Sequence, residues 1–323
     1  MGGGDPDSSL TGAGDSHYLP PMPKLLAPAK INLRLKVTGR RPDGYHLLEM
    51  VMVKLDLADE IEFELVGEGV SIRCDDPKVP CDRTNTLWKM AELVQTEGGK
   101  KFGVKIFLRK KIPSGAGLGG GSSDAASLLL ALNRELDLGW SRQKLIDTGV
   151  RIGADLPFFL QDGPCRVTGI GEILEPVMVP ATPLILIHPG FPVATAEAYR
   201  WYDLVTPLPS VPRSGIPFAV TGEGLGVREG LTGTGPDAIP RMLENDLEKV
   251  VLTRYPVLAR LKELMPAAGA HGALMSGSGS TVFGLFDSTA SRDRGYERLL
   301  RDKNFDWWVW KGTTLGGEES NLD

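Results

Sequence analysis

The sequence predicts an α+β protein of about two domains, and three observations carry that expectation. The chain has 323 residues, more than one ordinary hydrophobic core takes up. Several segments alternate apolar and polar residues with period two, the mark of half-buried strands. Between them, other segments place apolar residues three and four apart, as helices lying on a core do.

Met1 to about Pro23 is rich in Gly, Ser, Asp and Pro and has no hydrophobic period, so residues 1–23 are expected to be a disordered tail. This tail lacks the basic start and apolar core of a secretory signal, and its aspartates do not suit a transit peptide. Lys30–Val37 alternates, with Ile31, Leu33, Leu35 and Val37 facing one way and Lys30, Asn32, Arg34 and Lys36 the other. Arg41-Pro-Asp-Gly44 is a turn, because Pro fixes φ and Gly permits φ > 0. Met50–Leu57 and Glu60–Val66 read as strands and Thr86–Thr96 as a helix. Val104–Ile112 is a further alternating strand that runs straight into a glycine-rich stretch. A helix is expected over Ser123–Leu136, with Ser122, Ser123 and Asp124 offering N-cap oxygens and Leu128, Leu132 and Leu136 on one face.

A domain boundary is expected near Pro180, giving an N-terminal domain over 24–180 and a C-terminal domain over 181–312. The second holds a buried strand at Leu184–His188, helices near Thr195–Asp203 and Asp246–Leu264, and a hairpin at Gly272–Phe286. The second of those helices is expected to break at Pro256. A helix near Arg292–Arg301 and a strand at Trp307–Lys311 follow, then a flexible tail over 313–323. Thr206–Pro240 is dense in Pro and Gly without periodicity, which suits a mobile lid or a poorly ordered insert.

Composition narrows the function classes. There are 36 Lys plus Arg against 41 Asp plus Glu, a formal charge of −5, which argues against broad nucleic-acid or anionic-membrane binding. No apolar run approaches the roughly 20 residues that span a bilayer. Cys74, Cys81 and Cys165 form no C-x-x-C pair, and their odd number speaks against a disulfide framework. His17, His46, His188 and His271 lie far apart and make no H-x-x-x-H site. A cytoplasmic protein without a structural metal is the expectation.

Pro113–Ser123 (PSGAGLGGGSS) carries the chemistry. Five glycines stand in the seven positions 115–121, between a strand and a helix start. Residues without Cβ let the backbone bend tightly and approach a ligand. The helix that follows adds unpaired N–H donors and a positive dipole end. Together they make a phosphate site; a surface turn would not require so many glycines. A Walker A loop ends in Gly-Lys-Ser/Thr, whereas this one ends Gly-Ser-Ser. Gly115-x-Gly117-x-x-Gly120 fits the dinucleotide fingerprint literally, with Glu135 as the ribose partner. Against that fingerprint, the preceding strand is alternating and basic, not the apolar run of a buried parallel strand. Glu135 also sits inside the helix pattern. ATP is the better expectation, and a nicotinamide-dependent oxidoreductase is the rival from another class.

Pro113–Ala126 resembles the phosphate loop of the GHMP kinases, the superfamily of galactokinase, homoserine kinase and mevalonate kinase. Pro28–Leu33 (PAKINL) and Gly277–Phe283 (GSGSTVF) resemble its other motifs. The triple glycine with Ser-Ser-Asp, Asp43-Gly-Tyr-His46 and Gly153-Ala-Asp-Leu-Pro-Phe158 are similar to one branch, which phosphorylates the 2-hydroxyl of a cytidine-diphosphate-linked methylerythritol in non-mevalonate isoprenoid synthesis. The resemblance runs from about Pro28 to Lys311. It implies a two-domain fold, with an N-terminal domain like domain 2 of ribosomal protein S5, a ferredoxin-like C-terminal domain, and the substrate in the cleft between them. Another alcohol kinase of the superfamily is the nearer rival.

The same resemblance implies residue roles. Asp155 would be the general base that accepts the hydroxyl proton; by pattern alone, before Leu156-Pro157, it reads equally as a helix N-cap. Lys30 would face the reacting hydroxyl beside it and carry developing negative charge, although most lysines on a polar strand face are merely solvated. Asn32, on the same face, would orient substrate hydroxyls. Pro113, Ser114, Gly115, Ala116, Gly117, Leu118, Gly119, Gly120, Gly121, Ser122 and Ser123 would hold ATP. Tyr45 and His46 would belong to the cytosine pocket, one by stacking and one by hydrogen bonding. Thr195 and Tyr199 would complete it from the second domain, with Tyr199 closing the other face of the base. Gly277–Ser280 would help hold phosphates or close the cleft, and Asn85 could reach the adenine. Mg²⁺ would come with ATP and bind chiefly to phosphates and water. The partner is then a small molecule, and the protein a monomer or weak homodimer.

Overall fold

A computed structural model describes residues 24–209, 242–301 and 306–317. The expectations for residues 1–23 and for most of Thr206–Pro240 lie outside the described residues. The first sheet is built on a long hairpin, β1 (Lys24–Arg40) and β2 (His46–Val66), joined by the Arg41–Gly44 turn, where Gly44 takes φ 92°. Its seven strands follow the order β3-β4-β2-β1-β8, with β5 pairing β2 and β6 pairing β5. Here β3 is Val70–Cys74, β4 Gly103–Arg109, β5 Cys165–Gly169, β6 Ile173–Pro176 and β8 the two-residue Glu244–Asn245.

The face expectation for β1 is half right. Ile31 and Leu33 lie in one hydrophobic cluster with Leu55, Leu186 and Phe283, whereas Leu35 and Val37 join the other, with Met50 and Phe63. The pairing with β2 slips between Asn32 and Arg34, and an inserted residue there rotates the strand and swaps its faces. Lys30 and Asn32 are buried too. The polar side of β1 is the floor of a cleft, not a solvated surface.

Helix α1 (Thr86–Gly98) is capped by Asn85, whose Oδ1 accepts from the N–H of Leu87. Helix α2 (Gly120–Glu135) begins three residues earlier than its serines suggest. Its N-cap is Gly119 in the left-handed region, with no side-chain cap, so Ser122, Ser123 and Asp124 fall inside the first turns. Leu128 and Leu132 bury the face that the spacing marks. Helices α3 (Arg142–Val150) and α4 (Leu156–Phe159) follow and pack on α2 and on each other.

The sheet changes between Pro176 and β7 (Pro183–His188). The second sheet, β11-β7-β10-β9, is antiparallel throughout. Its chain order is β7, helices α5 (Thr195–Val205), α6 (Glu248–Arg254) and α7 (Pro256–Ala267), then β9 (Gly272–Met275), β10 (Val282–Leu285), α8 (Thr289–Arg301) and β11 (Trp308–Thr313). That is the β-α-β-β-α-β plan of ferredoxin-like domains, and Pro256 does open a new helix. Thr313–Gly317 is not loose: Leu315 N–H donates to Lys54 O at 2.8 Å and Gly317 N–H to Val179 O at 3.3 Å. These bonds tie the end of the described chain to the first sheet.

Candidate active site

A cleft of about 930 Å³ is lined by β1, the β1–β2 turn, the glycine loop, the Ala154–Asp155 segment, α5 and the Gly277 turn. That volume suits a small molecule bound whole.

The glycine loop needs its glycines. Gly115, Gly117 and Gly119 take φ 66°, 79° and 73°, and a Cβ on Gly117 would run into the carbonyl oxygen of Ser276. The loop's carbonyls are engaged: Thr281 N–H donates to Ala116 O at 3.2 Å, Ser276 Oγ to Gly117 O at 3.0 Å, and Lys30 N–H to Leu118 O at 2.9 Å. Ser123 N–H donates to Gly119 O at 2.9 Å. The loop's open capacity is therefore in its N–H groups and in the uncapped start of α2, where an anion is favoured. Gly115–Gly117, Gly119–Ser122, Pro113 and Ser114 line the cleft. Leu118 and Ser123 do not. Both side chains are buried in the protein, so only their backbones remain to serve the nucleotide, and the hydroxyl of Ser123 is not placed to reach a metal.

Beside the loop, Lys30 Nζ donates to Asn32 Oδ1 at 2.7 Å and lies 3.3 Å from Asp155 Oδ2. Asp155 stands at the N-cap position of α4 but makes no capping bond; its carboxylate turns to Lys30 instead. This corrects the cap alternative. A buried ammonium, a carboxylate and an amide thus converge within reach of the phosphate loop. Gly277 leaves room for them, since a Cβ there would sit 3.3 Å from Lys30 Nζ and 3.4 Å from Asn32 Oδ1.

At the other end, His46 Nε2 lies 2.7 Å from Asp203 Oδ1, and Arg40 NH1 lies 3.2 Å from Asp203 Oδ2. Tyr199 lays its ring on His46, centroids 4.6 Å apart and planes 21° apart. One face of Tyr199 is therefore spent on the imidazole, so at most its other face is free to close over a base. Burial, with the Asp155 carboxylate second, pushes the Tyr199 hydroxyl far up. Tyr45 is exposed, with the Arg41 guanidinium 5.9 Å from its ring centre. Thr195 Oγ1 and Ser278 Oγ are 3.0 Å apart and join α5 to the Gly277 turn.

Asn85 lines the cleft, but its Oδ1 caps α1 and its Nδ2 donates to Pro80 O at 2.7 Å. These two bonds leave one Nδ2 hydrogen and one Oδ1 lone pair uncommitted. Two cleft residues escaped the sequence reading. Lys110 places Nζ 2.5 Å from Asp59 Oδ2 and 3.1 Å from Asp124 Oδ2, beneath Gly120. Burial, only partly offset by Lys110, pushes the Asp124 carboxyl up to about 7. Asp203 is the other. Neither had a motif: Lys110 looked like strand polarity, and Asp203 like the polar end of a helix.

A family model for the GHMP kinases N terminal domain matches residues 85–163, and one for the GHMP kinases C terminal matches 228–304. A 4-diphosphocytidyl-2-C-methyl-D-erythritol kinase of Geobacter sp. (strain M21) is 44% identical over 268 residues, 82% of this chain and 89% of the relative. That of Citrifermentans bemidjiense is 43% identical over 272 residues, 83% of this chain and 91% of the relative. A crystal structure of 4-(cytidine 5'-diphospho)-2C-methyl-D-erythritol kinase superposes with a TM-score of 0.72 at 36% identity, covering 91% of this chain and all (100%) of that one. Homoserine kinase from Cytophaga hutchinsonii shares the fold, with a TM-score of 0.66 at 20% identity. With its glycine loop, its Lys30–Asp155 pair and these relatives, the chain belongs to the 4-diphosphocytidyl-2-C-methyl-D-erythritol kinase family of GHMP kinases.

Proposed function

We propose that the protein transfers the γ-phosphoryl group of ATP to the 2-hydroxyl of 4-diphosphocytidyl-2-C-methyl-D-erythritol, giving the 2-phosphate and ADP. The observation that carries this is the buried Lys30, 3.3 Å from Asp155 and inside the same cleft as the glycine loop. Asp155 accepts the proton as the hydroxyl oxygen attacks phosphorus, and the bond to the β-phosphate oxygen breaks. Lys30 holds that carboxylate and compensates charge on the transferring group. Asn32, fixed by Lys30, orients the alcohol. Open N–H groups of the loop and the α2 start hold the triphosphate. Tyr45, His46, Thr195 and Tyr199 bind the cytidyl end.

Mg²⁺ fits the donor set. It asks for one or two protein oxygens and takes the rest from phosphate and water. Ser122 lines the cleft, with its Oγ 3.1 Å from where a Cβ of Gly153 would lie, and would supply that oxygen. When bound, the ion neutralises phosphate charge. Among the described residues no group of three His, Cys, Asp or Glu gathers into a further metal site.

Coupled ADP release tests the substrate: turnover is expected with the cytidyl alcohol and not with mevalonate, homoserine or galactose, and the opposite pattern sinks it. The nicotinamide alternative has lost its ground, because β4 pairs antiparallel with β2 and no doubly wound parallel sheet exists among the described residues. No helix of the described residues is long and apolar enough to cross a membrane. A reducing cytoplasm suits the unpaired Cys74, Cys81 and Cys165, and the protein is proposed to act there as a monomer or weak homodimer.

A further inference from the structure

We infer that Asp203 is a positioning residue that makes His46 a hydrogen-bond acceptor towards the base, and so sets preference for an amino-bearing pyrimidine over its oxo counterpart. The inference rests on the proposed cytidyl substrate. Its basis is a chain of contacts between the two halves of the molecule. Asp203 lies on α5, eight residues past its start at Thr195 and one turn beyond Tyr199. Its Oδ1 meets His46 Nε2 at 2.7 Å, and its Oδ2 meets Arg40 NH1 at 3.2 Å. Arg40 also donates through Nε to Gly44 O at 3.4 Å, within the same turn. Tyr199 covers one face of the imidazole.

A carboxylate only accepts, so the proton of His46 is held on Nε2. In the neutral ring Nδ1 then carries the lone pair, and it has no hydrogen-bond partner among the described residues. His46, Asp203, Arg40 and Tyr199 all line the cleft. With a face covered by Tyr199 and one nitrogen bound, His46 addresses a ligand through the Nδ1 edge. Cytosine offers an exocyclic amino donor where uracil offers a carbonyl acceptor. A lone pair at Nδ1 accepts from the first and repels the second.

Asp203→Asn separates this from a structural role. Arg40 can only donate, so it takes the amide oxygen and turns the amide NH₂ towards His46 Nε2. The ring must then accept at Nε2 and carry its proton on Nδ1. The same carboxylate-to-amide exchange produces the wrong tautomer in serine-protease triads. The experiment measures kcat/KM for the cytidine-diphosphate-linked alcohol and its uridine analogue, with ¹⁵N-detected NMR of the His46 ring in both proteins. Wild type should show the Nε2–H tautomer. In D203N the proton should move to Nδ1, and the cytidine-over-uridine ratio should fall about 10–100-fold, with ATP binding retained. An Nδ1–H tautomer in wild type overturns the inference, even if D203N fails to fold. So does an unchanged ratio in folded D203N. If wild type turns over neither substrate, the functional reading falls, while the ring NMR still decides the tautomer.

Discussion

Replacing Asp155 with Asn separates a base from a cap. Asn keeps the size of the side chain and an oxygen for Lys30 Nζ, now 3.3 Å from Oδ2, but cannot accept the hydroxyl proton. Loss of a positioned general base typically costs 10²–10⁴-fold, or about 2.7–5.4 kcal/mol of barrier. That loss should appear in kcat for ADP release, while KM for ATP stays within about threefold, because the Asp155 carboxylate is paired with Lys30 and not hydrogen-bonded to the loop among the described residues. Were Asp155 a cap, Asn would serve as well and activity would survive. Asp155→Ala removes the counter-ion of the buried Lys30, so any stability it loses reports that stranded ammonium and not a cap, for no capping bond exists here. Near-wild-type kcat in D155N would refute the assignment.

Gly117→Ala forces a side chain onto φ 79° and into Ser276 O; it should cost more than the roughly 1–2 kcal/mol of a left-handed alanine and raise KM for ATP severalfold. Gly139→Ala, at φ 62° with nothing within 4 Å, is the control, and equal denaturant midpoints for the two variants would contradict the clash. Asp59 is buried and accepts from Lys111 N–H at 2.6 Å, Ile112 N–H at 2.9 Å and Lys110 Nζ at 2.5 Å. Asp59→Ala leaves two buried amides without an acceptor and Lys110 with Asp124 alone, so about 2–5 kcal/mol should be lost in urea unfolding; less than about 1 kcal/mol would mean that the network is incidental. Burial lowers the pKa of His188 below its ordinary 6.5, so the unfolded chain takes up a proton that the folded one refuses. Its stability contribution is full above pH 6.5 and is lost as pH falls below that. Melting curves of wild type and His188→Gln between about pH 7 and 5 should draw together as pH falls, or cross, and a constant gap would remove His188 from the acid response.

Much of the cleft's lining was legible because its parts are local. A phosphate loop is one run of glycines, and Lys30, Asn32, Tyr45, His46 and Asp155 sit in short motifs whose spacing survives folding. What the sequence hid is either a change of face or a long-range pairing. The bulge between Asn32 and Arg34 leaves no trace in an alternating pattern, so Leu35 seemed to share a face with Ile31. The early start of α2 was masked by Ser122 and Ser123, good capping residues that lose to Gly119 because only glycine takes its left-handed turn beside Phe159 and Lys30. Asp59, Lys110 and Asp203 carry no motif at all. Each matters only because a residue 51 or 157 positions away comes to meet it.

The two halves of this protein meet at the glycine loop. Strand β8 belongs to the second half by sequence, yet pairs with β1 at Arg34 and Leu35. From there Asn245 donates to Met275 O and Gly277 O, both at 2.8 Å, while Ser276 and Thr281 bond the glycine loop. The loop's shape thus depends on a turn that is itself held by a strand docked on the first sheet. Buried amides of this kind are costly to strand, so Asn245→Ala should weaken ATP binding as well as folding. Unaltered ATP affinity in a folded N245A protein would show that the loop holds its shape without the second half.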